Sequence, residues 1–399
     1  MRQYIADSVA RMRPSGIRRY FDIAASMDDV VTLGIGEPGF ATPEHITQRG
    51  LQSLRAGSTG YTSNAGMLEL RRAIGGYIER LYGLCYAPEN EILVTVGVSE
   101  ALFLALKAIL DPGDEVLVVE PCFVANAPAV EMAGGVPVTI QTTATNGFQV
   151  TGSMLEVAVT PRTKAILISY PNNPTGAVLD QEHIQQVAEV AHRHDLVVIS
   201  DEIYERLVYD AAHICFATLP NMQARTILLS GVSKSFAMTG WRIGYATSPS
   251  EIMAAMQKLH QYLIMSAPTM GQYAALEALE YGEDDITMMR SSYDQRRHQI
   301  VEGFNAIGLP CQMPPGAFYA FPWVAGTGLS DETFCELLLH EARVAIIPGS
   351  VFGESGSGFV RASYTASAAD IERALERIAR FMVQNGLAVT SPDSVPLAL

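Results

Sequence analysis

The fold is decided by the stretch Leu228-Leu-Ser-Gly-Val-Ser-Lys-Ser-Phe-Ala-Met-Thr-Gly-Trp-Arg242. The apolar run Thr226–Leu229 predicts a buried strand, and the small residues after it, Ser230-Gly-Val-Ser233, let the backbone turn and approach a ligand. Ligands of open parallel sheets bind beyond the carboxyl ends of the strands, which is where this turn stands. The stretch therefore favours a binding site at the edge of a parallel sheet.

Lys234 is the residue in this stretch that most suggests chemistry. A lysine in such a turn is poorly solvated, and burial lowers the pKa of its amine and leaves it nucleophilic near neutral pH. This suits Schiff-base formation with a carbonyl compound or with pyridoxal phosphate. Eight residues later, the planar fork of Arg242 matches a phosphate in two hydrogen bonds. The residues alone leave a second interpretation open, a surface lysine in a turn and an arginine that covers apolar surface with its stem.

Length and composition indicate a large folded protein. The chain has 399 residues, of which 48% are hydrophobic, so it can bury a large core and is long enough for two domains or one domain with a lobe. Its formal charge is −15 and no run of Lys or Arg stands out. We therefore expect neither nucleic acid nor an anionic membrane as a partner, and an anionic ligand requires a local cluster of positive charge.

The cysteines and the N-terminal segment bear on the compartment. The five cysteines are scattered and show no C-x-x-C spacing, which argues for a reducing compartment and against a zinc site or a disulfide framework. The segment before Pro14 has no apolar core of a signal peptide, and no apolar run approaches the roughly 20 residues that span a bilayer. We expect a cytoplasmic protein that binds no metal.

From Glu91 onward, apolar strands alternate with helices. Such alternation is typical of a mainly parallel sheet that is covered on both faces. The predicted strands are Ile92–Val96, Glu115–Val119, Val136–Ile140, Lys164–Ser169, Leu196–Ile199, Thr226–Leu229 and Arg242–Thr247. The predicted helices in and around this region include Leu68–Tyr82, Glu100–Leu110 and Gln181–His194, and Pro43 is expected to take the first helical position of an earlier helix.

The C-terminal part of the chain has a different pattern. A long helical region from Ser250 to Ala306 is followed by short strands and two helices, which suggests a smaller α+β lobe. We therefore predict an N-terminal segment of the small domain at 1–44, a large cofactor-binding domain at 45–290, the C-terminal small domain at 291–385 and a loose tail at 386–399.

Four segments with unusual polar residues follow four of the predicted strands. They are Gly97-Val-Ser-Glu-Ala101, Tyr170-Pro-Asn-Asn-Pro-Thr-Gly176, Ser200-Asp-Glu-Ile-Tyr204 and the lysine turn. The first is a glycine turn that opens a helix, whose free amides and dipole favour a phosphate. Together they predict one edge that holds a lysine, a carboxylate, an amide, a phenol and a phosphate cradle.

Each of these segments also has an ordinary structural explanation. The Pro-Asn-Asn-Pro-Thr-Gly segment is, by composition, a turn, and Gly97 is typical of any strand-to-helix connection. Asp201 could be a helix N-cap, while Tyr204 and Phe123 could be core aromatics. Their coincidence at one edge is what favours a functional site.

As a set, these motifs resemble the class I/II aminotransferases, pyridoxal-phosphate enzymes of fold type I. The resemblance extends from about residue 14 to residue 385. It rests on Gly36-Glu-Pro-Gly-Phe40, Tyr61 with Gly66 and Leu70-Arg71, Pro171-Asn-Asn-Pro-Thr-Gly176, Asp201-Glu-x-Tyr204, Ser233-Lys234 with Gly240-x-Arg242-x-Gly244, Pro348-Gly-Ser350 and Arg361.

The resemblance implies pyridoxal 5'-phosphate as the cofactor and three catalytic residues. Lys234 would form the Schiff base with the cofactor aldehyde and then, once released, move the substrate α-proton. Asp201 would keep the pyridine nitrogen protonated, since a nearby negative charge raises its pKa. Tyr204 would hydrogen-bond the ring oxygen together with Asn173, and Phe123 would stack on the ring.

The resemblance also implies which residues bind the phosphate and the substrate. The phosphate would lie among the backbone amides of Val98 and Ser99, the hydroxyl of Ser233 or Ser230, and Arg242. The substrate α-carboxylate would be bound by Arg361, with help from Asn173 and the backbone of Gly36. The alternative for Arg361 is a strand arginine in a surface ion pair.

The resemblance further implies a homodimer with shared active sites, in which Tyr61 reaches the phosphate of the neighbouring subunit. Tyr61 could instead be a packed tyrosine before a helix. Phe123 stands where relatives often carry Tyr or Trp, and Gly16 and Ser99 stand where aspartate-preferring relatives tend to place a polar or basic group. Strict aspartate specificity is therefore not expected.

Three functions fit these residues. The first is an aminotransferase, with glutamate and 2-oxoglutarate as one pair and an aromatic amino acid, alanine or aspartate as the other substrate. The second is a cysteine-conjugate β-lyase with the same cofactor, which would release pyruvate and ammonia without an acceptor. The third is a pyridoxal-phosphate sensor, which needs a DNA-binding domain for which we expect no room in the N-terminal segment.

Overall fold

The computed structural model describes residues 4–12, 14 and 16–388 of the chain. Its strands are β1 Val31–Thr32, β2 Ile92–Thr95, β3 Glu115–Glu120, β4 Val136–Gln141, β5 Thr163–Ser169, β6 Val197–Asp201, β7 Thr226–Gly231, β8 Gly244–Thr247, β9 Tyr319–Ala320, β10 Val344–Ala345, β11 Ile347–Pro348 and β12 Val360–Ser363. Its helices are α1 Asp7–Arg11, α2 Gly16–Ala25, α3 Glu44–Arg55, α4 Leu68–Tyr82, α5 Gly97–Ile109, α6 Asn126–Ala133, α7 Gly152–Ala158, α8 Gln181–Arg193, α9 Ser250–Leu263, α10 Thr269–Tyr281, α11 Glu283–Ile307, α12 Asp331–Ala342 and α13 Ala368–Gln384.

The central sheet has the strand order β2-β8-β7-β6-β5-β3-β4. Within it, β8 pairs antiparallel with β2 and β7, and the other neighbouring strands pair parallel. The carboxyl ends of β2, β5, β6 and β7 therefore lie at one edge of the sheet. The predicted mainly parallel sheet is confirmed.

Both faces of this sheet are buried, which explains its nearly continuous apolar strands. In β3, Val116 and Val118 join a core with α5 and α9, whereas Leu117 and Val119 join a second core on the opposite face with α8. The alternation follows from the two-residue period of a strand. The sheet thus forms the middle layer of an α/β sandwich.

A smaller lobe surrounds the three-stranded sheet β11-β12-β9, in which neighbouring strands pair antiparallel. Its core contains Phe318, Phe334, Ile378 and Phe381 and also includes Leu33 from the N-terminal part of the chain. β1 pairs parallel with β10, so the N-terminal segment is attached to this lobe. The α+β lobe predicted from the C-terminal pattern matches this arrangement.

Among the boundaries that differ from the prediction, three have a local cause in the backbone. α5 begins at Gly97 rather than Glu100, because Gly97 turns the chain with a φ of 71° and the Glu100 carboxylate accepts a 2.5 Å hydrogen bond from the Val96 amide. The predicted strand Arg242–Thr247 begins only at Gly244, because Arg242 has a left-handed φ of 58°. Pro43 precedes α3 as its N-cap, since its ψ of 143° is extended.

The division into domains stays a prediction. α11 runs through residue 290, where the predicted boundary of the large domain falls. The predicted tail lies outside the described residues from position 389 onward. Over the residues that the structure describes, no helix has the length and apolar character needed to cross a membrane.

Candidate active site

A cavity of about 730 Å³ opens at the carboxyl edge of the central sheet, against the small lobe. It brings together predicted site residues from eight separate segments of the chain. These residues are Gly36, Val98, Ser99, Phe123, Asn173, Asp201, Tyr204, Ser233, Lys234, Arg242 and Arg361.

Lys234 stands in the turn after β7, and its amine is well positioned for chemistry. Its Nζ donates a 2.6 Å hydrogen bond to the backbone oxygen of Gly36. Burial lowers the pKa of Lys234 to about 8, and the nearby charges of Arg361 and Arg242 lower it too, against the opposing effect of Glu37. A shift in this direction makes the neutral amine more available near physiological pH.

Asp201 is the last residue of β6, and its carboxylate is buried. Burial raises the pKa of Asp201 to about 6, although the hydrogen bond from the Ile203 amide at 3.2 Å favours the charged form. The side chain is therefore an anion at neutral pH in a poorly solvated site. Burial of such an anion is unfavourable unless a cation lies beside it.

Arg361 of β12 is held rigidly between aromatic rings and acceptors. Its guanidinium lies 4.5 Å from the ring centre of Tyr319 and 4.8 Å from that of Phe352. Nη1 donates to Asn173 Oδ1 at 2.8 Å and Nη2 to the Gly34 oxygen at 2.6 Å. Its Nε is buried without a hydrogen-bond partner in the described part of the chain. Arg361 is thus not the surface ion-pair residue of the alternative interpretation.

The first turn of α5 and Arg242 form a concave polar surface. The N-cap Val96 offers no side-chain acceptor to this helix, so the first amides, at Val98 and Ser99, are available to an anion. A Cβ on Gly97 would overlap the Arg242 guanidinium, and a Cβ on Gly244 would lie 2.7 Å from the Val98 nitrogen. The backbone and the arginine approach this closely only because both positions are glycines. The surface offers the hydrogen-bond donors and the positive charge that a phosphate group requires.

The structure separates the two candidate serines. Ser233 lines the cavity, whereas Ser230 is buried in β7 and lies 3.4 Å from the Glu205 carboxylate. The resemblance left both serines open, and the predicted strand ended at Leu229, whereas β7 continues to Gly231 and so includes Ser230. Ser230 is therefore corrected to a residue outside the cavity.

Tyr61 does not line this cavity. Its side chain is 84% exposed in a loop that hydrogen-bonds to the start of α10, where Thr269 Oγ1 donates to the Gly60 oxygen at 2.7 Å. Such exposure rules out the packed tyrosine of the alternative interpretation. It leaves open the contact with a second subunit that the resemblance implied.

Sequence reasoning missed several residues of the cavity wall. The hydroxyls of Tyr319 and Tyr204 share a 2.8 Å hydrogen bond. Glu37 also lines the cavity with Lys234, although the sequence predicted a role only for Gly36 in this motif. An apolar wall also adds Ile17, Phe103 and Met132. The proximity of Glu37 to Gly36 was a usable signal, whereas the others depend on how helices and the lobe pack.

Comparison with known proteins gives a consistent picture. The family model described as aminotransferase class I and II matches residues 28–378. A putative aminotransferase, YugH of Bacillus subtilis, is 49% identical, and the alignment covers 96% of this chain and 99% of that protein. An aspartate aminotransferase of Pyrococcus abyssi is 43% identical over 96% of this chain and 99% of its own length.

A solved structure shows the same similarity in three dimensions. The aromatic aminotransferase from Pyrococcus horikoshii superposes with a TM-score of 0.89 at 42% sequence identity. The match covers 93% of this chain and all of the other chain. This chain is therefore similar to that enzyme in both sequence and fold along almost its whole length.

Proposed function

Because this chain belongs to the class I and II aminotransferases, we propose that the cavity transfers an amino group between an L-amino acid and a 2-oxo acid through the residues described above. The chain is an aminotransferase, and pyridoxal 5'-phosphate is the cofactor of its family. The observation that carries the proposal is the meeting of Lys234, Asp201 and Arg361 in one cavity.

The residues present fit this cofactor. The first-turn amides of α5, Ser233 and Arg242 would hold the phosphate, and Gly97 and Gly244 let the arginine and this backbone approach each other without a Cβ between them. Phe123 would cover one face of the ring, and Tyr204 would donate to its oxygen. When bound, the cofactor supplies an aldehyde that takes the amino group and a ring that withdraws electrons from the substrate.

Lys234 would hold the cofactor and then carry the proton. With a pKa of about 8, roughly a tenth of the amine is neutral at pH 7, and this fraction rises steeply with pH. The hydrogen bond to the Gly36 oxygen holds Nζ beside a residue that is itself close to Arg361, since a Cβ on Gly36 would lie 3.7 Å from Arg361 Nη1. A neutral Nζ would accept the α-proton of the substrate and, as the ammonium, could donate it again.

Asp201 would hold a proton on the ring nitrogen. Its pKa of about 6 leaves the carboxylate charged at pH 7, and a buried anion of this kind raises the pKa of a basic nitrogen beside it. The charged carboxylate thereby keeps the ring electron-withdrawing.

Arg361 and Asn173 would bind the α-carboxylate of the substrate. Arg361 already uses Nη1 and Nη2 for Asn173 and Gly34, so its fork is fixed in one orientation before a ligand arrives. Asn173 accepts through Oδ1, which leaves its Nδ2 hydrogens to donate. A preorganised fork binds a carboxylate at a smaller entropic cost than a mobile one.

We also propose a homodimer whose sites contain Tyr61 of the neighbouring subunit. Tyr61 and Met265 lie in two segments that hydrogen-bond to each other, through Asn64 to the Met265 oxygen and through Thr269 to the Gly60 oxygen, and Tyr262 lies in the last turn of α9. All three side chains are exposed. Large exposed apolar side chains in segments that hydrogen-bond to each other are typical of a subunit contact. The substrates proposed are glutamate and 2-oxoglutarate as one pair, with an aromatic amino acid, alanine or aspartate as the other amino donor.

The test uses the purified protein loaded with pyridoxal 5'-phosphate. Borohydride reduction followed by peptide mass spectrometry should place a pyridoxyl group on Lys234. Incubation with amino acids and 2-oxoglutarate should form glutamate, and Lys234→Ala should abolish this while the protein still folds. A product of pyruvate and ammonia without an acceptor, or no glutamate with any amino acid, would contradict the proposal. Light scattering at several concentrations tests the dimer.

A further inference from the structure

The part of the cavity that is assigned to neither the cofactor nor the α-carboxylate includes an apolar wall. Its side chains come from α2, the segment after β1, α5 and α6, so that four separate segments contribute to one wall. They are Ile17, Ile35, Leu102, Phe103, Ala129 and Met132. Ile35 and Met132 are 40% and 52% exposed and form the solvent side of this wall.

The charges that line the cavity disfavour a substrate that carries a second carboxylate in its side chain. Among the described residues that line it, the cations are Lys234, Arg242 and Arg361, and each already has a place in the proposed function. Glu37 adds a carboxylate close enough to Lys234 and Tyr319 to affect the pKa of both. Within one subunit, a short acidic side chain at the apolar wall would have no further cation beside it and would face this negative charge.

We propose that this wall selects amino donors with a large apolar side chain, aromatic or branched aliphatic, over aspartate and alanine. This inference rests on the proposed aminotransferase function. A large apolar side chain buries surface against the wall, and alanine leaves the space unfilled. Glutamate is one methylene longer than aspartate, so its carboxylate can reach the solvent beside Met132 and Ile35.

Half-reactions of the loaded enzyme with single amino acids measure this selectivity directly. The panel is phenylalanine, leucine, alanine, aspartate and glutamate, and the readout is the loss of the cofactor's visible absorption. We expect kcat/KM for phenylalanine and leucine to exceed that for alanine and aspartate by at least about tenfold, the effect of apolar contacts in a specificity pocket. Equal or higher values for aspartate or alanine would overturn the inference. If no amino acid reacts, it is the proposed function that fails.

A matched pair of variants tests whether this wall sets the selectivity. Met132→Lys adds a cation at a half-exposed position on α6, and Met132→Leu keeps an apolar side chain there. The lysine variant should shift the ratio of kcat/KM for aspartate over phenylalanine upward by about tenfold, and the leucine variant should leave it unchanged. Circular dichroism and thermal unfolding of each variant report whether it has folded. An unchanged ratio in a folded lysine variant would show that the substrate side chain lies elsewhere.

Discussion

The hydroxyl of Tyr204 lies 2.8 Å from that of Tyr319, and both side chains are buried at the base of the cavity. Burial raises the pKa of Tyr204 well above its ordinary value, so its hydroxyl stays protonated and can donate. Because only one of the two hydroxyls donates to the other, the pair keeps one proton for a further acceptor in the cavity. Tyr319 therefore orients the group that Tyr204 would present to the cofactor.

Tyr319→Phe should weaken this orientation without emptying the site. We expect kcat/KM to fall by roughly fivefold, since a neutral hydrogen bond contributes about 1 kcal/mol, with a similar loss in the free energy of unfolding. Tyr209→Phe is the matched control, because its hydroxyl donates to the Ala317 oxygen away from the cavity. Steady-state kinetics and urea denaturation of both variants give the comparison. Equal loss of kcat/KM in the control would mean that Tyr319 acts only through stability.

The lowered pKa of Lys234 should be visible in the cofactor-free protein. An amine-selective reagent attacks the neutral form, so the modification rate of Lys234 should titrate with a midpoint of about 8 rather than at the ordinary 10.5. Peptide mass spectrometry resolves Lys234 from the exposed Lys258 in the same sample. A midpoint near 10.5 would mean that burial and the charges of Arg361 and Arg242 do not act on this amine as described.

The residues at strand ends were accessible to sequence reasoning, and those set by packing were not. Lys234, Asp201 and Asn173 follow apolar strands directly, and parallel topology alone brings such positions to one edge. Tyr319 and Phe103 reach the cavity only through the docking of the small lobe and the rotation of α5. These depend on the fit of many side chains, and no local pattern records them.

Gly97→Ala should lower the affinity for the cofactor more than it lowers stability. Gly97 has a φ of 71°, which strains any other residue, and the added Cβ would also displace the Arg242 guanidinium. Gly113→Ala is a close control, because its φ is 95° and no atom lies within 4 Å of the added Cβ. In both variants the free energy of unfolding should fall by about 1 kcal/mol, because alanine is strained at a positive φ.

Only Gly97→Ala should also weaken binding of pyridoxal 5'-phosphate, by about tenfold or more if the Arg242 contact to the phosphate is lost. Titration of the cofactor-free variants, followed by absorbance, provides the dissociation constants. Equal dissociation constants for the two variants would mean that Arg242 and the first turn of α5 do not bind the phosphate.

His45 should make stability depend on pH. Its Nδ1 lies 3.0 Å from the Glu277 carboxylate of α10 and its Nε2 lies 2.9 Å from the Asp285 carboxylate of α11. Burial disfavours the charged ring, but the hydrogen bonds and charges of Asp285 and Glu277 outweigh it and raise the pKa of His45 above 6.5. Both nitrogens can donate only in the imidazolium form.

A raised folded-state pKa means that the folded protein binds the proton more tightly than the unfolded chain. The stabilisation is therefore complete below the unfolded pKa of 6.5 and is lost as the pH rises through the higher folded value. His45→Gln should lower the urea midpoint more at pH 6 than at pH 9, each measured against the unsubstituted protein at the same pH. If the two differences were equal, the contact of α3 with α10 and α11 would not depend on the charge of His45.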